Sequence, residues 1–203
     1  YRVPVFLLSD GYIANGSEPW KLPDVASIPD MKVKFAKAGD PYLPYNRDPE
    51  TLARDWAIPG TPGLEHRIGG LEKADKTGAI SYEPTNHDFM VRTRAAKIEG
   101  INIPDLIVDD PSGQAKVIYL GWGSTFGPIS AAVNELRKEG IDIARAHLRY
   151  INPFPKNLEN ILSRYEKVIV PEMNLGQLAM LLKAKYLKDV ISLNQVRGLP
   201  FTV

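Results

Sequence analysis

Apolar positions run in two different rhythms along this chain. From residue 115 onward, short continuous runs alternate with helical spacing. Lys116 to Leu120 reads as a strand ending in Gly121-Trp122-Gly123-Ser124-Thr125, and Ile129, Ala132, Val133 and Leu136 then fall at i, i+3, i+4 and i+7, the stripe of an amphipathic helix. Gly140 is its predicted stop. Ile141 to Leu148 reads as the next strand, Leu158, Ile161, Leu162 and Tyr165 as a second helix, and Val168 to Pro171 as a third strand. Leu175, Leu178, Ala179 and Leu182 mark a third helix, and Asp189 to Val196 a last strand. Strands and helices alternating through short turns predict a parallel sheet with helices on both faces. The fold class expected for residues 115–203 is therefore Rossmann-like α/β.

Before residue 115 the rhythm is different. Tyr1 to Leu8 is a continuous apolar run, the pattern of a strand buried on both faces. A lone strand cannot bury both faces, so its partners are expected upstream and the chain is expected to be the C-terminal part of a larger subunit. Left unpaired, such a strand promotes self-association, so a dimer of this segment is either native or an artefact. Prolines at positions 19, 23, 29, 41, 44, 49, 59 and 62 preclude a long helix and predict an extended connector anchored by Trp20, Tyr42, Tyr45 and Trp56. Gly63 to Ser81 reads as hairpin or loop, and Thr85 or Asn86 is placed to cap a helix through about Glu99.

Charge divides the chain in the same way. Residues 1–114 hold 13 Lys/Arg against 17 Asp/Glu, and residues 115–203 hold 12 against 7. The basic residues are scattered among apolar ones, so nucleic acid is not an expected partner. No stretch approaches the ~20 apolar residues of a membrane span, and a cytoplasmic location is expected. The absence of cysteine excludes disulfides, thiolate metal sites, iron-sulfur ligation and cysteine nucleophiles within these 203 residues.

Candidate chemistry is sparse. Gly121-x-Gly123-x-x-x-Gly127 opens a helix and reads either as a phosphate cradle, with Gly121, Gly123, Ser124 and Thr125 as its residues, or as a tight turn capped by Ser124 or Thr125. A dinucleotide fingerprint wants its third glycine where Phe126 stands and an acidic residue where Ala146-His147-Leu148-Arg149 stands. Glu172 and Asn174 lie beyond a strand's carboxyl end, where open α/β sheets bind ligands, and Asn174 equally suits a helix N-cap. His66, His87 and His147 form no ligand-spaced pair, so no metal site is expected. Arg92, Arg94 and Lys97 make a basic helix face, open to solvent, to an anionic group or to an acidic subunit.

Six segments occur in an order that carries more information than any of them alone. They are Ser9-Asp10-Gly11-Tyr12-Ile13-Ala14-Asn15-Gly16-Ser17-Glu18-Pro19-Trp20, Gly60-Thr61-Pro62-Gly63-Leu64-Glu65-His66, Tyr82-Glu83-Pro84-Thr85-Asn86-His87-Asp88-Phe89-Met90-Val91-Arg92, Gly121-Trp122-Gly123-Ser124, Asn152-Pro153-Phe154-Pro155 and Pro171-Glu172-Met173-Asn174-Leu175-Gly176-Gln177-Leu178. Together they resemble the C-terminal part of the alpha subunit of 2-oxoacid:ferredoxin oxidoreductases, closest to the 2-oxoglutarate type.

The resemblance implies a domain similar to the C-terminal domain of transketolase over 115–203. Residues 1–22 would end a pyrimidine-binding domain, 23–62 would be a connector, and 63–114 would lead into the second domain. It implies a complex in which a thiamine ylid attacks the 2-oxoacid, carbon dioxide leaves, iron-sulfur clusters pass electrons to ferredoxin, and coenzyme A takes the acyl group. Thiamine diphosphate, Mg2+ and the clusters would belong to the whole complex, with a beta subunit and possible gamma and delta subunits as partners. No catalytic residue and no cofactor is expected from this segment alone. Asp10, Asn15, Glu18, His66, His87 and Arg92 are its candidates for subunit interfaces or an active-site wall, with Gly63 to His87 as a covering loop. An assembly module without active-site contact, or a nucleotide- or coenzyme A-binding domain of another complex, stays open as an alternative.

Overall fold

The computed structural model describes residues 1–19 and 21–202. Its elements are α1 (Gly11–Asn15), β1 (Phe35–Ala36), β2 (Trp56–Ala57), α2 (Pro84–Glu99), β3 (Val108–Asp109), β4 (Val117–Trp122), α3 (Phe126–Lys138), β5 (Ala144–Leu148), α4 (Leu158–Arg164), β6 (Lys167–Glu172), α5 (Gln177–Tyr186) and β7 (Val190–Asn194). The described residues of Tyr1–Val5 and Pro19–Asn102 make one compact unit, and those of Phe6–Glu18 and Ile103–Val203 another.

In the second unit the strand order is β3-β5-β4-β6-β7. β4 to β7 run parallel, with Leu120 opposite Ala146, Ile118 opposite Val168 and Ile169 opposite Ile191. Alternation along β4 sorts the layers. Val117 and Tyr119 pack toward Ile129 and Val133 of α3, whereas Ile118 and Leu120 join Leu158, Ile161 and Leu162 of α4 and Leu178 and Leu182 of α5. Helices thus cover both faces, as the sequence pattern predicts. Gly140 ends α3 in the left-handed region at φ 83°, with Ile141 N–H reaching back to Leu136 O at 3.0 Å. β5 begins three residues later than the apolar run from Ile141 suggests, and α5 begins at Gln177 rather than Leu175.

In this second unit one strand, β3, is absent from the sequence reading, as are the two-residue strands β1 and β2 of the first unit. β3 adds an antiparallel edge to β5, with Val108 opposite Ala146. Two residues carry no periodicity, so side chains fix it: Asp109 takes Arg145 Nε at 2.7 Å and Arg137 Nη1 at 3.2 Å, and Asn157 clasps both backbone groups of Leu106 at 2.9 Å.

The predicted strand over Tyr1–Leu8 does not form. Among the described residues no strand pairs with it, and Val5, Phe6 and Leu7 are 86%, 86% and 93% exposed. A strand is stable only when neighbours take its backbone groups, and neither unit offers any.

The first unit is mostly irregular, as its prolines require. Its regular pairing is a short parallel contact, Phe35 opposite Trp56 and Ala36 opposite Ala57. Of the predicted anchors, Tyr42 meets the His66 ring edge-on at 5.3 Å, Tyr45 lies under the Arg54 guanidinium at 4.2 Å, and Trp56 faces Phe35 at 6.3 Å. Trp20 lies outside the described residues. A hairpin closes over 72–81 through Ala74 N–H to Ala79 O and Ser81 N–H to Glu72 O. The predicted cap of α2 is displaced: Glu83 is the N-cap and Pro84, with φ already helical, is the first helical residue. The side chain of Asn86 turns to the hairpin instead, accepting from Asp75 N–H at 3.0 Å and donating to Lys73 O at 2.9 Å.

Candidate functional site

In an open parallel sheet, ligands lie beyond the strands' carboxyl ends where the strand order reverses. Here β4 is flanked by β5, which follows it, and by β6, so that point lies between β4 and β6. The segments that emerge there are Trp122-Gly123-Ser124-Thr125 and Glu172-Met173-Asn174. Gly121, Gly123, Ser124, Thr125 and Asn174, scattered in sequence, therefore come to one end of one sheet.

The β4 exit is a tight turn closed by Thr125. Its Oγ1 accepts from Trp122 N–H at 3.2 Å and donates to Trp122 O at 2.8 Å. Thr125 is the residue before α3, yet its hydroxyl bonds back to β4 and caps no helical N–H. Gly121 is glycine because the helix packs onto it: a Cβ there would meet Ile129 Cδ1 at 2.4 Å and Thr125 Oγ1 at 2.8 Å. Protein atoms thus close the Gly121 backbone, whereas Gly123 and Gly127 have no atom within 4 Å of an added Cβ. Ser124 faces the other way, donating to Asp10 Oδ2 at 2.8 Å, which brings Asp10 to this end of the sheet as well.

Glu172, the last residue of β6, is fully buried. Its Oε1 accepts from Trp122 Nε1 at 3.2 Å, Asn174 Nδ2 at 3.1 Å and Leu178 N–H at 2.9 Å, and its Oε2 from Ala179 N–H at 3.0 Å. One carboxyl group thus ties β4, the β6 exit and the first turn of α5, where free backbone N–H groups and the helix dipole favour an acceptor. Asn174 contributes from before the helix, its Oδ1 accepting from Gly176 N–H at 2.7 Å and Gln177 N–H at 3.2 Å. The N-cap itself is Gly176, at φ 91°.

Beside this knot, His147 on β5 is half-buried and its Nδ1 has no hydrogen-bond partner among the described residues. Burial, then the Arg149 charge, pushes its pKa down, so the ring is neutral at pH 7. Phe126 meets it edge-on at 5.2 Å. The Trp122 to Glu172 bond and the position of His147 escaped the sequence reading. The available signal was a polar residue ending each of two adjacent strands.

The remaining candidates are distributed. Asn15 bonds Gly11 O within α1, and Glu18 is exposed. In the first unit His66 Nδ1 contacts Leu64 O at 2.7 Å, His87 Nδ1 contacts Glu72 Oε2 at 2.6 Å, and Arg92 holds both Asp88 oxygens one helical turn away. His87 and Arg94 together hold the Glu72 carboxyl below its usual range, the His87 bond contributing most. Among the described residues no three His, Asp or Glu side chains are grouped to hold a metal ion.

Residues 115–200 match the family model described as pyruvate:ferredoxin oxidoreductase core domain II. Over 99% of its length the chain is 62% identical to the 2-oxoglutarate oxidoreductase subunit KorA of Mycobacterium tuberculosis, covering 31% of that protein. It is 39% identical over 98% of its length to subunit alpha of 2-oxoacid:ferredoxin oxidoreductase 2 of Aeropyrum pernix, covering 32% of it. Among solved structures, a 2-oxoglutarate:ferredoxin oxidoreductase from Magnetococcus marinus, with 2-oxoglutarate, coenzyme A and succinyl-CoA bound, superposes with a TM-score of 0.79 at 30% identity, over 89% of this chain and 32% of that one. The chain spans about a third of the length of these relatives. The parallel sheet with β4 at its centre is the core-domain fold of that match, and over nearly its whole length the chain is similar to subunits of 2-oxoacid:ferredoxin oxidoreductases.

Proposed function

We propose that the chain serves in a thiamine diphosphate-dependent 2-oxoacid:ferredoxin oxidoreductase that oxidatively decarboxylates 2-oxoglutarate to its acyl-CoA. The observation that carries this reading is the 62% identity, over nearly the whole chain, to a subunit whose name states 2-oxoglutarate oxidoreductase. When bound, thiamine diphosphate supplies a carbanion sink for the decarboxylation. The residues of this chain do not fit the resident groups. It has no cysteine for a cluster, and the first glycine of its turn, Gly121, is closed off by Ile129 and Thr125. No chemical step is therefore assigned to it. Cofactors, Mg2+ and clusters belong to the other parts of the enzyme, with a beta subunit and ferredoxin as partners.

The chain's own contribution is architectural. Polar groups at the carboxyl end of its sheet are engaged with one another, as in Ser124 to Asp10 and Trp122 to Glu172. Such a set holds loops in place for neighbouring subunits and for an active-site wall. Asp10, Asn15, Glu18, His66, His87 and Arg92 are the proposed contact residues.

The test is recovery of the native assembly under anaerobic conditions, followed by dye reduction. Turnover that requires both 2-oxoglutarate and coenzyme A is expected. An intact assembly that turns over no 2-oxoacid refutes the reading. Alanine at Asp10, His66 and His87 is expected to reduce turnover or assembly, and unchanged values for both would remove the wall assignment.

A further inference from the structure

The first unit contains a cleft of about 760 Å3 lined by Arg2, Lys34, Arg47, Asp48, Asp55 and Trp56, among others. Four cations are crowded together here, Arg2 and Arg47 in the lining and Arg54 and Lys97 joined to Arg2 through its hydrogen bonds. Arg2 is 18% exposed and Arg47 12%, and Arg54 and Lys97 are half-buried. They are linked through the backbone: Arg2 donates to Arg54 O and to Lys34 O, and Lys97 donates to Arg2 O at 3.4 Å. Two carboxyl groups answer them, Asp55 on Arg2 at 3.1 Å and Asp75 on Arg47 at 2.6 Å. Among the described residues neither Arg54 nor Lys97 has a carboxyl within ion-pair distance. Arg54 donates to Pro44 O at 3.1 Å and lies on the Tyr45 ring. Asp48 in the lining accepts from Thr51 and the Glu50 amide, and Lys34 in the same lining balances it in the charge sum.

Four cations against two carboxyls leave a surplus of two positive charges in a half-buried place, where water screens them weakly. Desolvation, followed by the charges of Arg54, Arg47 and Arg2, pushes the Lys97 pKa down. A dianion entering the cleft would relieve that repulsion. Beside the cations Trp56 and Phe35 form an aromatic shelf, with the Arg2 guanidinium 5.7 Å from the Trp56 ring centre.

We propose that this cleft binds a doubly charged phosphate group, free or as the phosphate end of a nucleotide, with Arg2, Arg47, Arg54 and Lys97 supplying the attraction. The site shares no residue with the sheet-end cluster and does not rest on the proposed reaction. Phosphate binding can fail while turnover stands, and turnover can fail while binding stands.

The test is titration calorimetry of the full-length protein in its native assembly, with pyrophosphate and ADP as probes. At low salt both are expected to bind with a Kd below about 1 mM, weakening as ionic strength rises. Lys97→Gln and Arg54→Gln are each expected to weaken binding by about tenfold or more, with Glu99→Gln unchanged. Lys97→Gln removes one of the crowded charges, so its thermal midpoint is expected not to fall, which keeps the test valid should Arg54→Gln unfold. Tighter binding of ADP than of pyrophosphate, abolished by Trp56→Ala, would name a nucleotide as the source. Equal affinity would name simple phosphate, and either ranking supports the site. No pyrophosphate binding by the wild type, or equal affinity in both cluster variants, overturns the proposal.

Discussion

Replacing Glu172 by glutamine isolates the role of the knot at the end of the sheet. The side chain keeps its shape, but one oxygen becomes an amide nitrogen that can only donate. In the less costly orientation the oxygen stays with Trp122 Nε1, Asn174 Nδ2 and Leu178 N–H, and the new NH2 faces Ala179 N–H, formerly 3.0 Å from Oε2. Two donors then oppose each other where Glu172 is 0% exposed, so no water can intervene. A buried donor left without an acceptor costs about 1–3 kcal/mol. For a chain of this size each kcal/mol lowers the melting temperature by about 2–4 °C, so a cost near 2 kcal/mol predicts a fall of about 4–8 °C. Thermal unfolding followed by circular dichroism measures it, and amide exchange localises it: Ala179 N–H is expected to exchange faster in Glu172→Gln, Leu178 N–H less so. A midpoint within about 1 °C of wild type, with Ala179 exchange unchanged, would refute the claim that this carboxyl holds α5 to the sheet.

Gly121→Ala places a methyl 2.4 Å from Ile129 Cδ1 and 2.8 Å from Thr125 Oγ1, and is expected to cost about 1–3 kcal/mol in urea unfolding. Adding Ile129→Val, which removes the Cδ1 end, is expected to restore part of the loss. Asn157→Ala removes both bonds to Leu106 and is expected to lower stability by about 1–3 kcal/mol, read as a lower urea midpoint. His147 is held neutral in the folded state, its pKa lowered by burial and Arg149. The unfolded chain therefore takes up a proton first as pH drops below about 6.5, and stability falls from that point down to the folded-state pKa. Melting temperatures across this acidic range are expected to decline less steeply in His147→Gln, and an identical slope would remove His147 as the cause.

Much of the second unit is legible in the sequence. Ile129, Val133 and Leu136, or Leu158, Ile161 and Leu162, can bury only one face of a helix, and that local constraint is written in their spacing. The parallel sheet follows from the alternation. Gly140 marks the end of α3 because only glycine takes φ 83° without strain.

What the spacing cannot carry depends on partners far away in sequence. Tyr1–Leu8 has the composition of a buried strand, but strand formation needs neighbours, and among the described residues none arrives. β3 is two residues long and exists because Arg137, Arg145 and Asn157 hold it or the segment leading into it. Asn86 looks like a cap until the hairpin brings Lys73 and Asp75 to its amide. The candidate site divides in the same way. That Ser124 and Asn174 lie at strand ends follows from local pattern. That Trp122 and Glu172, or Ser124 and Asp10, meet is a consequence of strand order and chain path, long-range facts decided by packing. The same holds for the cation cluster, where Arg2, Arg47, Arg54 and Lys97 are unremarkable singly and acquire a shared field only when folding removes the water between them.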